Sequence, residues 1–150
     1  MQRTLVLLKP DCVQRRLIGT LIQRFEQKGL RLVGLKFVQA SRDLAEKHYA
    51  VHKGKPFYES LLGFLTSGPT VALVWEGREA VAVARTLMGP TDGTKAPPAT
   101  IRGDFAISVQ NNLVHGSDSA ENAAMEIALW FKPEELVTYQ PVDTPWVGGT

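Results

Sequence analysis

The sequence predicts a layered sandwich of strands and helices, of the α/β or α+β class. Apolar runs of strand length recur at Leu5 to Leu8 and Val71 to Trp75. Between and after them stand segments whose apolar residues return every three to four positions. Glycine or proline marks most junctions. Strands alternating with helices build sheets covered by helices. Periodicity alone does not separate a parallel doubly wound sheet from an antiparallel one.

The first run, Leu5 to Leu8, is continuously apolar, as a strand covered on both faces would be. Leu17, Ile18, Leu21, Ile22 and Phe25 then form one stripe of a helix, and Gly29 stands where a left-handed C-terminal cap belongs. Leu30 to Val38 reads as a strand with Val33, Leu35 and Phe37 on one face. Ser41 is a good N-cap for a short helix carrying Leu44, Ala45, His48 and Tyr49. Pro56 suits the first turn of another helix, with Phe57, Leu61 and Leu65 at spacing four. After the Val71 to Trp75 strand, Glu79 to Met88 is helical, with Ala80, Val83, Ala84 and Leu87 on one stripe. Residues 89 to 104 carry too many glycines and prolines for one regular element and read as a long loop. Phe105 to Val109 and Leu113-Val114 have strand character. Asp118 or Ser119 caps a last helix, Ala120 to Phe131, and the tail ending in Pro145, Gly148 and Gly149 reads as an extended arm.

A chain of 150 residues, 44% hydrophobic and 21% charged, is expected to fold as one domain, 1–150, around a sizeable core. Cys12 is the sole cysteine, which excludes an internal disulfide and a cysteine-rich zinc site. No apolar run approaches the roughly 20 residues that span a bilayer, and Leu5 to Leu8 is too short for a secretory signal. The expectation is a soluble, cytoplasmic protein with no membrane partner. The net charge is +2, and the only tight basic groups are Arg15-Arg16 and Lys53/Lys55. Nucleic acid is therefore not an expected partner.

The chain lacks a phosphate-binding G-x-x-x-x-G-K-[ST] loop, since Gly89 to Lys95 has the wrong spacing, and it has no G-x-G-x-x-G, H-E-x-x-H or G-x-S-x-G. What remains is concentrated at Asn112 to Ser119, where His115 ends a short apolar segment ahead of a capped helix bearing Glu126. His48, His52 and His115 share no metal-ligand spacing, so no protein metal site is expected. Lys9, Arg85, Thr91, Arg102 and Asn112 fall at element ends or in the odd loop, and together would make a cationic pocket around His115. Phosphoryl transfer calls for such positive charge and donors around the travelling group.

Leu8-Lys9-Pro10-Asp11, His48-Tyr49, Lys55 to Tyr58, Thr66 to Pro69, Val74 to Gly77, Thr100 to Phe105, Asn112 to Ser119 and Glu126-Ile127 stand in an order that resembles the nucleoside diphosphate kinase family across nearly the whole chain. The resemblance implies an α+β fold, a ferredoxin-like four-stranded antiparallel sheet covered by helices. It implies transfer of the γ-phosphate of a nucleoside triphosphate to a nucleoside diphosphate through a phosphohistidine, in ping-pong fashion. By position the carrier would be His115, phosphorylated on Nδ1. Lys9 would contact the phosphates and the sugar hydroxyl; Arg85, Thr91 and Arg102 would hold phosphate oxygens; Asn112 would bind the ribose. Tyr49 would help position Lys9, and Ser117 and Glu126 would orient His115. Phe57 would stack on the base with Val109 opposite, so base discrimination is expected to be weak. Mg2+ would be carried with the nucleotide phosphates. A homo-oligomer is implied, a hexamer ahead of a tetramer. Cys12, Lys55, Asp92-Gly93 and Ala99 depart from the usual pattern, and none removes a catalytic group.

Overall fold

Leu5, Val6, Leu7 and Leu8 are all fully buried, which one strand achieves only when both its faces are covered. The structure, a computed structural model, describes residues 1–148. It places β1 (Gln2–Leu8) inside a sheet of order β2-β3-β1-β4. β3 (Thr70–Gly77) and β4 (Val114–Gly116) flank β1, and β2 (Arg31–Val38) lies beyond β3. Every pairing is antiparallel, so the fold is α+β and not doubly wound.

Alternate strand residues point to opposite faces. Val6, Leu8, Leu73 and Trp75 pack with Leu21 and Phe25 of α2 (Ile18–Lys28) and Ala80 and Ala84 of α5 (Ala80–Met88). Phe25 stacks on Trp75 with ring centroids 5.4 Å apart. Leu5, Leu7, Ala72 and Val74 face the other way. There they meet Ala45 of α3 (Arg42–His48), Leu62 and Leu65 of α4 (Tyr58–Thr66) and Trp130 of α7 (Ala120–Trp130). α1 (Pro10–Gln14), α6 (Ile101–Phe105) and α8 (Thr144–Val147) complete the helices of the described residues. The expected punctuation is in place. Gly29 sits at φ +104° after α2, Ser41 Oγ accepts the Leu44 N–H at 3.0 Å, and Ser119 Oγ accepts that of Asn122 at 3.1 Å.

Four elements differ from the sequence expectation. A bulge between Leu32 and Gly34 turns β2, so Val33 is buried while Leu35 and Phe37 are exposed at the sheet edge. α4 starts two residues later, at Tyr58, and buries Leu62 and Leu65, leaving Phe57 outside. Phe105 to Val109 forms no strand; residues 101–105 are helical instead, with Thr100 Oγ1 accepting the Gly103 N–H at 3.0 Å. The tail is not a free arm. Val137 N–H donates to the Val33 carbonyl at 2.8 Å, the Arg31 guanidinium to that of Tyr139 at 2.9 Å, and α8 follows; Gly149 lies outside the described residues.

Gly103 has no room for a side chain, because a Cβ there would overlap the Pro97 carbonyl. Gly103→Ala is expected to cost about 1–3 kcal/mol, measured as a lower denaturation midpoint. Activity should fall with it, since Arg102 is the preceding residue on the same short helix.

Candidate active site

His115 pairs with Leu7 across β1 and β4. Residues directly opposite share a sheet face, so its ring lies on the side covered by α3, α4 and α7. There His115 Nε2 lies 3.2 Å from both carboxylate oxygens of Glu126. Ser117, fully buried two residues beyond His115, donates its hydroxyl to Glu126 Oε1 at 2.6 Å. Burial alone would push the Glu126 carboxyl up, but the bonds from His115 and Ser117 outweigh it and hold it below the ordinary range. A carboxylate only accepts, so in the neutral imidazole the proton sits on Nε2 and the lone pair on Nδ1. Among the described residues Nδ1 makes no hydrogen bond.

Expected cations bond to the chain on either side of His115, between Gln110 and Gly116. Lys9 follows β1 and is buried; its ammonium donates to Asn112 Oδ1 at 2.5 Å and to the Gln110 carbonyl at 3.3 Å. Asn112 Nδ2 donates in turn to the Thr91 carbonyl at 3.0 Å. One string of hydrogen bonds thus joins three of the expected residues. Burial pushes the Lys9 ammonium down to about 8, against the pull of Asp11. Arg102 spans three carbonyls from two segments: Gly89 at 2.9 Å, Asn112 at 3.2 Å and Val114 at 2.5 Å. Those bonds use three of its five N–H groups and leave two for a ligand. Burial, then the nearby Arg85, lowers it to about 10, so it stays charged near neutrality. Arg85 donates to the Gly116 carbonyl at 3.1 Å, beside His115.

Other expected residues are less closely tied. Tyr49 packs edge-on to His48 at 4.7 Å; the Lys9 ammonium donates to Asn112 and Gln110 and not to Tyr49. Phe57 is 47% and Val109 58% exposed, standing outside the hydrogen-bonded groups as open apolar surface. Phe57 rests against the His52 ring at 5.3 Å.

Sequence reasoning missed three supporting residues. Asp11 Oδ2 accepts the Leu113 N–H at 3.0 Å, and Lys9 N–H bonds the Leu113 carbonyl at 2.9 Å. Together they hold Leu113 at φ +74°, a strained setting for leucine directly before β4. His48 and Trp130 lie behind His115, with the Trp130 indole donating to His48 Nδ1 at 3.1 Å. A histidine on the apolar stripe of a helix, as His48 is, was the available signal.

His48, His115 and Glu126 each bring one possible metal-ligand atom within 4.8 Å of the others. His48 is a poor ligand, because one nitrogen receives the indole proton and the other carries its own. No helix of the described residues is long and apolar enough to cross a membrane.

Residues 2–136 match the family model described as nucleoside diphosphate kinase. The chain is 58% identical over 147 residues to the nucleoside diphosphate kinase of Carboxydothermus hydrogenoformans, covering 98% of this chain and 99% of the relative. It is 58% identical to that of Thermosynechococcus vestitus, covering 98% of each. Among solved structures, a family protein from Babesia bovis superposes with a TM-score of 0.96 at 46% identity, covering 98% of this chain and 99% of that one. A halophilic enzyme from Halobacterium salinarum, solved in complex with CDP, superposes at 0.95 and 48%, covering 97% of each. By sequence over almost its full length, and by a sheet and helices that superpose on solved members, the chain belongs to the nucleoside diphosphate kinase family.

Proposed function

We propose that this enzyme performs its family's reaction, moving phosphate from nucleoside triphosphates to nucleoside diphosphates, in two half-reactions carried by His115. The Nδ1 lone pair attacks the γ-phosphorus and forms an N–P bond. The bond to the β,γ-bridging oxygen breaks, and the nucleoside diphosphate leaves with that electron pair. A terminal oxygen of a second diphosphate then attacks the same phosphorus, and the N–P electrons return to Nδ1. No proton has to move, so no separate base is needed. What supports the reading above all is the Glu126 carboxylate at Nε2, which leaves Nδ1 unprotonated and would offset the positive charge the ring gains on phosphorylation.

Lys9, Arg85, Arg102 and Thr91 would bind the phosphate oxygens and spread the charge of the transition state. Asn112 would meet the ribose, and Tyr49 would fill the wall beside His48. Magnesium would arrive on the nucleotide phosphates and supply charge neutralisation there. Among the described residues the cluster of possible ligands is two imidazoles and one carboxylate, a poor home for a cation that prefers oxygen. The test is to incubate the protein with γ-labelled ATP and no acceptor. Acid-labile, alkali-stable label should appear on the protein and discharge on adding any nucleoside diphosphate; no label would refute the reading.

Phe57 would stack on the base with Val109 on the other side, and every base has a π-face. Phe57→Ala should raise the KM for adenine, guanine, cytosine and uracil nucleotides alike, by about tenfold or more, in parallel steady-state assays. A loss confined to one base would show readout of a base edge. We further read the whole chain as one such domain, working in the cytoplasm as a homo-oligomer, a hexamer ahead of a tetramer. The outer edge of β2 beyond Val33, where Leu35 and Phe37 are exposed, supports self-association. Sedimentation gives its size.

A further inference from the structure

His48 is buried at the end of α3, and the chemistry above makes no use of it. Trp130 is a donor only, so the His48 Nδ1 that receives its N–H keeps a lone pair, and the ring proton sits on Nε2. The other tautomer would set two N–H groups against each other, and so would a charged ring. Burial first, then the neighbouring His115, pushes His48 down to about 3, against the opposing pull of Glu126. Lys9 and His52 also bear on it, both lowering it, and Tyr49 packs edge-on as an uncharged phenol, pushed up to about 12 by burial. His48 is thus a neutral ring in one tautomer.

That ring meets His115 almost at a right angle, 79° between planes and 4.6 Å between centroids. Glu126 does not fix the plane of His115 by itself. Its two oxygens lie equally far from Nε2, 3.2 Å each, so the carboxylate holds that nitrogen at one point without selecting a single acceptor direction. A second ring packed edge-to-face limits how the imidazole turns about that point, and Trp130, with its ring 5.6 Å from His48, holds that second ring in turn.

We propose that His48, locked in one tautomer by Trp130, is a positioning residue that fixes the plane of the His115 ring and so aims its Nδ1 lone pair at the incoming phosphorus. The proposal rests on His115 being the phosphate carrier, and the wild-type labelling experiment tests that separately. If the wild-type protein takes no label, the carrier assignment fails; if it does label, variants at His48 and Trp130 decide the positioning role.

The measurement is the rate constant of phosphoenzyme formation at saturating ATP, with the KM for ATP, in the wild type, His48→Ala, Trp130→Phe and the double variant. His48→Ala should lower the rate constant about tenfold, the usual scale for losing a partner that orients a reacting ring, with KM changed less than twofold. Trp130→Phe should lower it in the same sense, and the double variant should be no slower than His48→Ala, because Trp130 acts through His48. Unchanged rates, a loss carried by KM, or multiplying effects of the two substitutions would overturn the proposal. Nitrogen-15 NMR of the wild-type histidines needs no variant. His48 should hold its proton on Nε2 from pH 6 to 8, and a His48 that titrates there or carries the proton on Nδ1 would refute the lock.

Discussion

His115→Gln is expected to abolish labelling by γ-labelled ATP and to lower turnover by about four orders of magnitude or more, as loss of a covalent nucleophile does. The fold should survive. The side chain is part-exposed, 25%, and a glutamine amide can still donate to Glu126. Nucleotide affinity should change little, because Lys9, Asn112, Arg102 and Phe57 are untouched. The split is what identifies a carrier, with binding retained and transfer lost. Calorimetric titration with a nucleoside diphosphate, beside the labelling assay, measures both halves. A variant that still turns over would place the phosphate elsewhere.

The second large effect is at Lys9. Lys9→Ala should lower kcat/KM by about 10²–10³, the scale for removing one charged donor from a developing phosphoryl charge. Stability should not fall by a comparable amount, because the ammonium is buried and its charge is costly there. The pH dependence gives an independent check. With its value pushed down to about 8, Lys9 is charged below that pH and loses its charge above it. If phosphates need the charged form, apparent nucleotide affinity at pH 9 should be about tenfold weaker than at pH 7. Lys9→Arg, charged throughout, should flatten that profile. A wild-type profile already flat across this range would show that Lys9 does not hold the phosphates as an ammonium.

The interior strand and most helix ends were legible because each is local chemistry. Leu5 to Leu8 needs cover on both faces, Gly29 takes a positive φ, and Ser41 offers an oxygen to a bare N–H. What escaped depends on partners distant in the chain. The bulge that separates Val33 from Leu35 and Phe37 exists through pairing with β3. The helix at residues 101–105 holds a glycine at its centre, which argues against helix; it stands because Thr100 caps it and Arg102 is clamped by three carbonyls. At the site, His115 and Glu126 were legible because they lie within one strand-to-helix unit, and Ser117 came from the family resemblance. His48 and Trp130 meet across 82 residues, and spacing carries no trace of that contact.

In the proposed mechanism Nδ1 of His115 holds the phosphoryl group between the two half-reactions. Phosphorus–nitrogen coupling in the isolated phosphoenzyme, with the histidines labelled with nitrogen-15 and assigned, reads that bond itself. Coupling to Nδ1 of His115 alone, lost on adding a nucleoside diphosphate, is the predicted result. Coupling to Nε2, to His48 or His52, or to no nitrogen at all would contradict it.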